Sequence, residues 1–152
     1  MTFSVPDPHF ITWYGSHFRY HGACDLVFLH NPVFREGIGL DLHIRTELMM
    51  ETAYSFVSNA ALKIGDDVLE VMASGQHFLN GVHDAELPAH LGGYEATKTV
   101  DEKCVGSGER KRCWYSMLFD VFLGQADHIL IKVSSGMVHV NVQGSPKNFE
   151  GS

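Results

Sequence analysis

The residues best suited to covalent chemistry in this chain stand in a row, Asp7-Pro8-His9. An Asp-Pro bond is the weakest ordinary peptide bond, because the aspartate carboxylate can attack its own main-chain carbonyl and form a cyclic anhydride. The proline nitrogen is a basic leaving group that must be protonated before it departs. His9 is placed to supply that proton, since imidazole changes charge near about pH 6.5. In this reading Asp7 is the nucleophile, Pro8 the leaving group and His9 the acid of a self-cleaving chain. In the competing and preferred reading, Asp7-Pro8 opens the first strand with His9 packed or hydrogen-bonded beside it. Pro6 favours the second, because its ring restricts the backbone just where strain would have to be arranged.

Other candidates are spread along the chain. Cys104 and Cys113 flank Val105-Gly-Ser-Gly-Glu-Arg-Lys-Arg112, a glycine-containing turn that can bring them across a hairpin. A disulfide closing so short a loop contributes roughly 2–3 kcal/mol; two thiols are the alternative. Within that turn Arg110-Lys111-Arg112, with Glu109 beside it, is either a solvated loop or a contact for a sulfated or carboxylated polysaccharide. Asp66-Asp67 puts two carboxylates in one tight turn, which reads as a solvated hairpin and not a cation cage. Ten histidines are scattered, and only His17 and His21 share a strand face; they are expected on solvent faces. No His-x-x-x-His or His-x-His pattern with a nearby carboxylate gives a zinc signature. Nucleophile elbows, phosphate-cradling glycine loops and Cys-x-x-Cys pairs are also absent from the sequence.

The elements that would carry these residues are strands. Apolar and polar residues alternate at His17–His21, Leu40–Arg45 and Met137–Val142, and a period of two puts one set on a single sheet face. Leu26-Val27-Phe28-Leu29 and Ile129–Val133 read as more deeply buried strands. Turn formers recur between them, at Gly65-Asp66, Ser74-Gly75, Asn80-Gly81, Gly92-Gly93 and Ser135-Gly136. The longest loops are expected at residues 31–37 and 83–93. No stretch has helical periodicity. The expectation is an all-β fold, an antiparallel β-sandwich of many short strands, forming one domain over residues 1–152.

Several of these segments also carry a family resemblance. Asp7-Pro8-His9-Phe10, the turn Thr12-Trp13-Tyr14-Gly15, and Phe18-Arg19-Tyr20-His21-Gly22-Ala23-Cys24 resemble the opening of von Willebrand factor type D domains of the Gly-Asp-Pro-His type. Ala61–Val71, Phe78-Leu79-Asn80-Gly81-Val82 and Val138–Val142 with Pro146–Gly151 are similar to later strands of that family. The wording from His21 to Val27 and from Gly39 to Thr46 is similar to extracellular diatom proteins carrying this domain. The resemblance implies a β-sandwich, a secreted setting, and self-cleavage at Asp7-Pro8 in some members. It implies that the family segment continues past Ser152, where the partner of the cysteine matching Cys24 would lie, so Cys24 is expected as a buried thiol. Two departures bear on chemistry: Pro6 stands where the family has glycine, and Tyr14 where it has a calcium-ligating aspartate. No metal or cofactor is therefore expected.

Composition narrows the partners. Of 152 residues, 45% are hydrophobic and 19% charged, which suits a globular domain. The net charge of −7 argues against nucleic-acid binding, which needs a basic face, and no apolar run reaches membrane-spanning length. The resulting expectation is a non-catalytic secreted or cell-surface module for adhesion, matrix assembly or protein–protein contact. Its partners would be copies of itself or other matrix and surface proteins; a module that binds a metal through its histidines, or an anionic polysaccharide through Arg110-Lys111-Arg112, is a further alternative.

Overall fold

Where every second residue is apolar, an extended chain lays one face on a core and the other in solvent, and most of this chain does so. The computed structural model describes residues 2–4, 9–11, 13, 16–19, 22–49 and 55–149, the backbone alone at 2–4, 9, 11 and 17–19. Its strands are β1 (Thr2–Ser4), β2 (His9–Ile11), β3 (His17–Arg19), β4 (Cys24–Asn31), β5 (Leu40–Leu48), β6 (Ser55–Ile64) and β7 (Asp67–Met72). They continue as β8 (His77–Leu79), β9 (Val82–His83), β10 (Ala89–Leu91), β11 (Tyr94–Val105), β12 (Arg112–Gly124), β13 (Asp127–Ser134) and β14 (Met137–Gln143). Among the described residues, helical structure is confined to single turns at Phe34–Gly37, Gly108–Arg110 and Pro146–Phe149.

The strands form two antiparallel sheets, one in the order β10-β11-β12-β13-β14-β1-β2-β3 and one in the order β4-β5-β6-β7-β8-β9. Between them lies one apolar core. Leu40, Leu42, Leu62, Ile64, Leu69 and Val71 line it from the six-stranded sheet, and Phe119, Val121, Ile129, Ile131, Val138 and Val140 from the eight-stranded one; each is at most 1% exposed. The fold is an all-β sandwich, as the alternation requires.

Hairpin turns do the rest. Asn80-Gly81, Gly92-Gly93 and Ser135-Gly136 each have positive φ at both residues, the twist that two-residue hairpin loops need. Gly92 has a further reason to be glycine: at φ +57 a Cβ would sit 2.7 Å from the Ile64 carbonyl oxygen. At the other end, buried Asp127 accepts a hydrogen bond from Asn148 Nδ2 at 2.8 Å, and Trp13 stacks on Phe149 with centroids 5.7 Å apart. These contacts dock the last turn onto the sandwich.

Two expectations need correction. Leu26–Leu29 is not a deeply buried strand: β4 is the edge of its sheet, and a bulge between Val27 and Leu29 turns Phe28 and Leu29 inward while leaving Val27 62% exposed. The segment 83–93 is not all loop, since β10 forms within it and pairs with β11. Among the many short strands that the sequence led one to expect, β11 with 12 residues and β12 with 13 are long.

Candidate functional site

The two long strands build the most unusual feature. β12 pairs with β13 only as far as Met117↔Val133, and β10 pairs with β11 only as far as Ala96. Beyond Met117, β11 and β12 continue alone through Asp101↔Ser116, Glu102↔Tyr115, Lys103↔Trp114, Cys104↔Cys113 and Val105↔Arg112. Five such rows extend the ribbon by about 15 Å past the sheet. A two-stranded ribbon without a core is marginal by itself, and a Cys104–Cys113 disulfide joins its strands near the tip, with Cα atoms 4.1 Å apart. The tip closes through the helical turn Gly108–Arg110. Gly106 is held there at φ +85, where a Cβ would lie 2.6 Å from the Arg110 carbonyl oxygen.

The pleat sorts this arm into two faces. The face continuing the core surface carries Val100, Glu102, the disulfide and Tyr115; Val100 and Tyr115 are 55% and 60% exposed, because the six-stranded sheet no longer covers them. Tyr115 Oη donates to Glu102 Oε1 at 3.4 Å on this side. The outer face carries Asp101, Lys103, Val105, Arg112, Trp114 and Ser116. Where β13 turns back at Ser135-Gly136, a cleft of about 430 Å³ opens between the arm and that turn, lined by Lys103, Trp114, Ser116, Lys132, Ser134 and Ser135. Trp114 is 53% exposed over it. Neither Lys103 nor Lys132 has an ion-pair partner among the described residues.

The residues singled out from sequence fall differently. Asp7 and Pro8 lie outside the described residues, as does Tyr14; His9 sits in β2 opposite Ser4 and Arg19. Cys104 and Cys113 are joined. Arg110, Lys111 and Arg112 are exposed at the arm's tip and start of β12, none in an ion pair among the described residues. Cys24 takes no part in the disulfide and is half-buried, not buried as expected. His77 departs from the solvent-face reading: it is 3% exposed, and Nε2–H donates to the Ala85 carbonyl at 2.7 Å. Asp67 is no solvated turn residue either. Its carboxylate accepts from the Gly92 amide at 2.8 Å and from Asn80 Nδ2 at 2.9 Å. These bonds, the Gly92 amide above all, hold its carboxyl below the usual carboxylate range against a smaller opposing effect of burial.

Among the described residues, one His/Cys/carboxylate trio, Glu102, Cys104 and Cys113, lies close enough to share a cation, and its two sulfurs are bonded to each other. A second groove, of about 220 Å³, crosses the outer face of the six-stranded sheet beside Asp25, His43, Arg45, Asn59 and Glu70. Its groups answer each other: Arg45 Nε donates to Asp25 Oδ1 at 2.7 Å and Asn59 Nδ2 to Glu70 Oε1 at 3.1 Å. The Arg45 hydrogen bond is the main cause of the lowered Asp25 pKa. No helix among the described residues is long and apolar enough to cross a membrane.

Lys103, Trp114 and Lys132 were not legible as a group. They are scattered in sequence, and only register brings them together; the nearest signal is Arg110-Lys111-Arg112 beside Cys113-Trp114. No family model matches the chain, and no curated protein matches it.

Proposed function

We propose that this chain is a non-catalytic extracellular or cell-surface module that acts by contact, in adhesion, matrix assembly or protein–protein association. The observation that carries this reading is the stapled arm: five strand rows held clear of the sandwich, with Val105, Trp114 and Tyr115 more than half exposed. Apolar and aromatic side chains gathered on one projecting element offer a partner a contact surface. The disulfide supports an oxidising setting, and the resemblance of residues 7–24 to von Willebrand factor type D domains supports the same class. The partner of first choice is a second copy of the chain, meeting the arm through its Val100–Tyr115 face or its open strand edge.

Sedimentation velocity over a wide concentration range tests this reading. The intact chain should associate, and a variant with residues 101–116 replaced by an Asn-Gly turn should remain monomeric. Intact-chain monomers at every concentration would remove self-assembly as the function. An intact mass that loses residues 1–7 under mild acid, and keeps them in Asp7→Ala, would move the chain to the self-cleaving class.

A further inference from the structure

We infer that the outer face of the arm is a binding site for an acidic polysaccharide, with a sugar ring stacked on Trp114 and its carboxylate or sulfate groups met by Lys103 and Lys132, the two cations that line the cleft. The inference rests on the contact-module reading above and assigns a second partner to the arm's other face.

Charge placement carries it. The chain has 11 lysines and arginines and a net charge of −7. Yet five of its cations, Lys103, Arg110, Lys111, Arg112 and Lys132, gather on the arm or across the cleft from it, and none is in an ion pair among the described residues. On the paired strands the pleat separates Lys103 and Arg112 from Glu102, which faces the other way and is engaged by Tyr115; at the tip Glu109 adjoins Arg110. Asp101 is the outer-face carboxylate of the paired rows; it lies opposite Ser116, on the far side of Lys103 from Arg112, and does not line the cleft. The groove on the six-stranded sheet has the opposite character, since its Arg45 is neutralised by Asp25 at 2.7 Å.

Aromatic placement supplies the ligand class. Trp114 sits directly across from Lys103, two residues from Arg112 on the same face, and stands half out of the surface. A flat indole beside ammonium groups fits a ring that is apolar on one face and anionic at its edge. The Ser116, Ser134 and Ser135 hydroxyls line the same cleft and can exchange hydrogen bonds with sugar hydroxyls. A site of about 430 Å³ is within the range of small-ligand sites. An acidic peptide would share the charge but would leave the serine hydroxyls and the flat stacking surface without use.

The test is calorimetric titration of the full chain with heparin, with polygalacturonate, with neutral dextran and with polyglutamate. Heparin or polygalacturonate should bind, more weakly as salt rises, while dextran and polyglutamate should not. Lys103→Gln with Lys132→Gln should weaken binding by about tenfold or more, and Trp114→Ala should do so by a similar factor at unchanged salt dependence. Lys63→Gln, which removes one charge from the other sheet, should leave affinity unchanged. Circular dichroism confirms that each variant folds. Absence of binding at low salt, equal weakening by Lys63→Gln, or equal affinity for polyglutamate would overturn the inference. If glycan binding is absent but association still depends on the arm, only this inference falls. If the arm-shortened chain matches the intact one in both measurements, the contact-module reading falls with it.

Discussion

β11 and β12 belong to two environments at once, and the contrast between their halves separates what stabilises this protein from what it offers to a partner. In the sandwich, Phe119 and Val121 of β12 are covered by the opposite sheet and by β13. A few residues toward the tip, Tyr115 keeps the same alternation and the same face but is 60% exposed, because the facing sheet has ended. One periodicity thus serves packing in one half and display in the other. The first half is stabilised by apolar burial, whereas the second depends on ten backbone-paired residues and a covalent link.

Breaking the packed half should have the largest effect. Phe119→Ala should cost about 3–5 kcal/mol of unfolding free energy in urea, since Phe119 is 1% exposed between His77 and Lys98. Trp114→Ala, five residues along the same strand, should stay within about 0.5 kcal/mol. Equal losses would mean that the arm folds as part of the core.

The turn brace of the body comes next. Asp67→Ala leaves the Gly92 amide and the Asn80 side chain without their acceptor, at a cost of about 0.5–1.5 kcal/mol because water reaches both. Its pH signature follows from the lowered pKa. A carboxyl held below its unfolded value contributes stability that is present above about pH 4 and lost as pH falls through the folded value. The urea midpoint should therefore fall more steeply on acidification in the parent chain than in Asp67→Ala. Parallel curves would rule out Asp67 as a source of acid sensitivity.

The smallest global effect is expected from cutting the staple. Cys104→Ser with Cys113→Ser should abolish amide protection in residues 101–105 and 112–116, measured by hydrogen exchange, as the ribbon opens by itself. Because the frayed arm regains entropy in the native state too, global stability should fall by less than the roughly 2–3 kcal/mol that the closed loop allows. Loss of protection across the whole of β13 and β14 would show that arm and body open together.

Much of the body was legible because its signals are local. Strict alternation in β5 and β14, and glycine or asparagine at the hairpin turns, each follow from pleat and φ, so the all-β sandwich could be read directly. The Cys104–Cys113 pairing was legible for the same reason, since a short turn sets the register across it. The bulge in β4 was not, because the phase slip that exposes Val27 is written in the partner strand as much as in β4 itself. Asp67 and His77 were misread for a related reason: their partners, Gly92 and Ala85, arrive from other turns.

Acting through alternation and turn chemistry, the sequence by itself determined that this chain forms antiparallel strands, where most of them turn, and which side chains share each strand's faces. Only the tertiary structure decided where one sheet stops covering the other, because that depends on the relative ends of strands far apart in the chain. That mismatch in length turns β11 and β12 from a wall of the core into an arm, and it sets Lys103, Trp114 and Lys132 around one cleft.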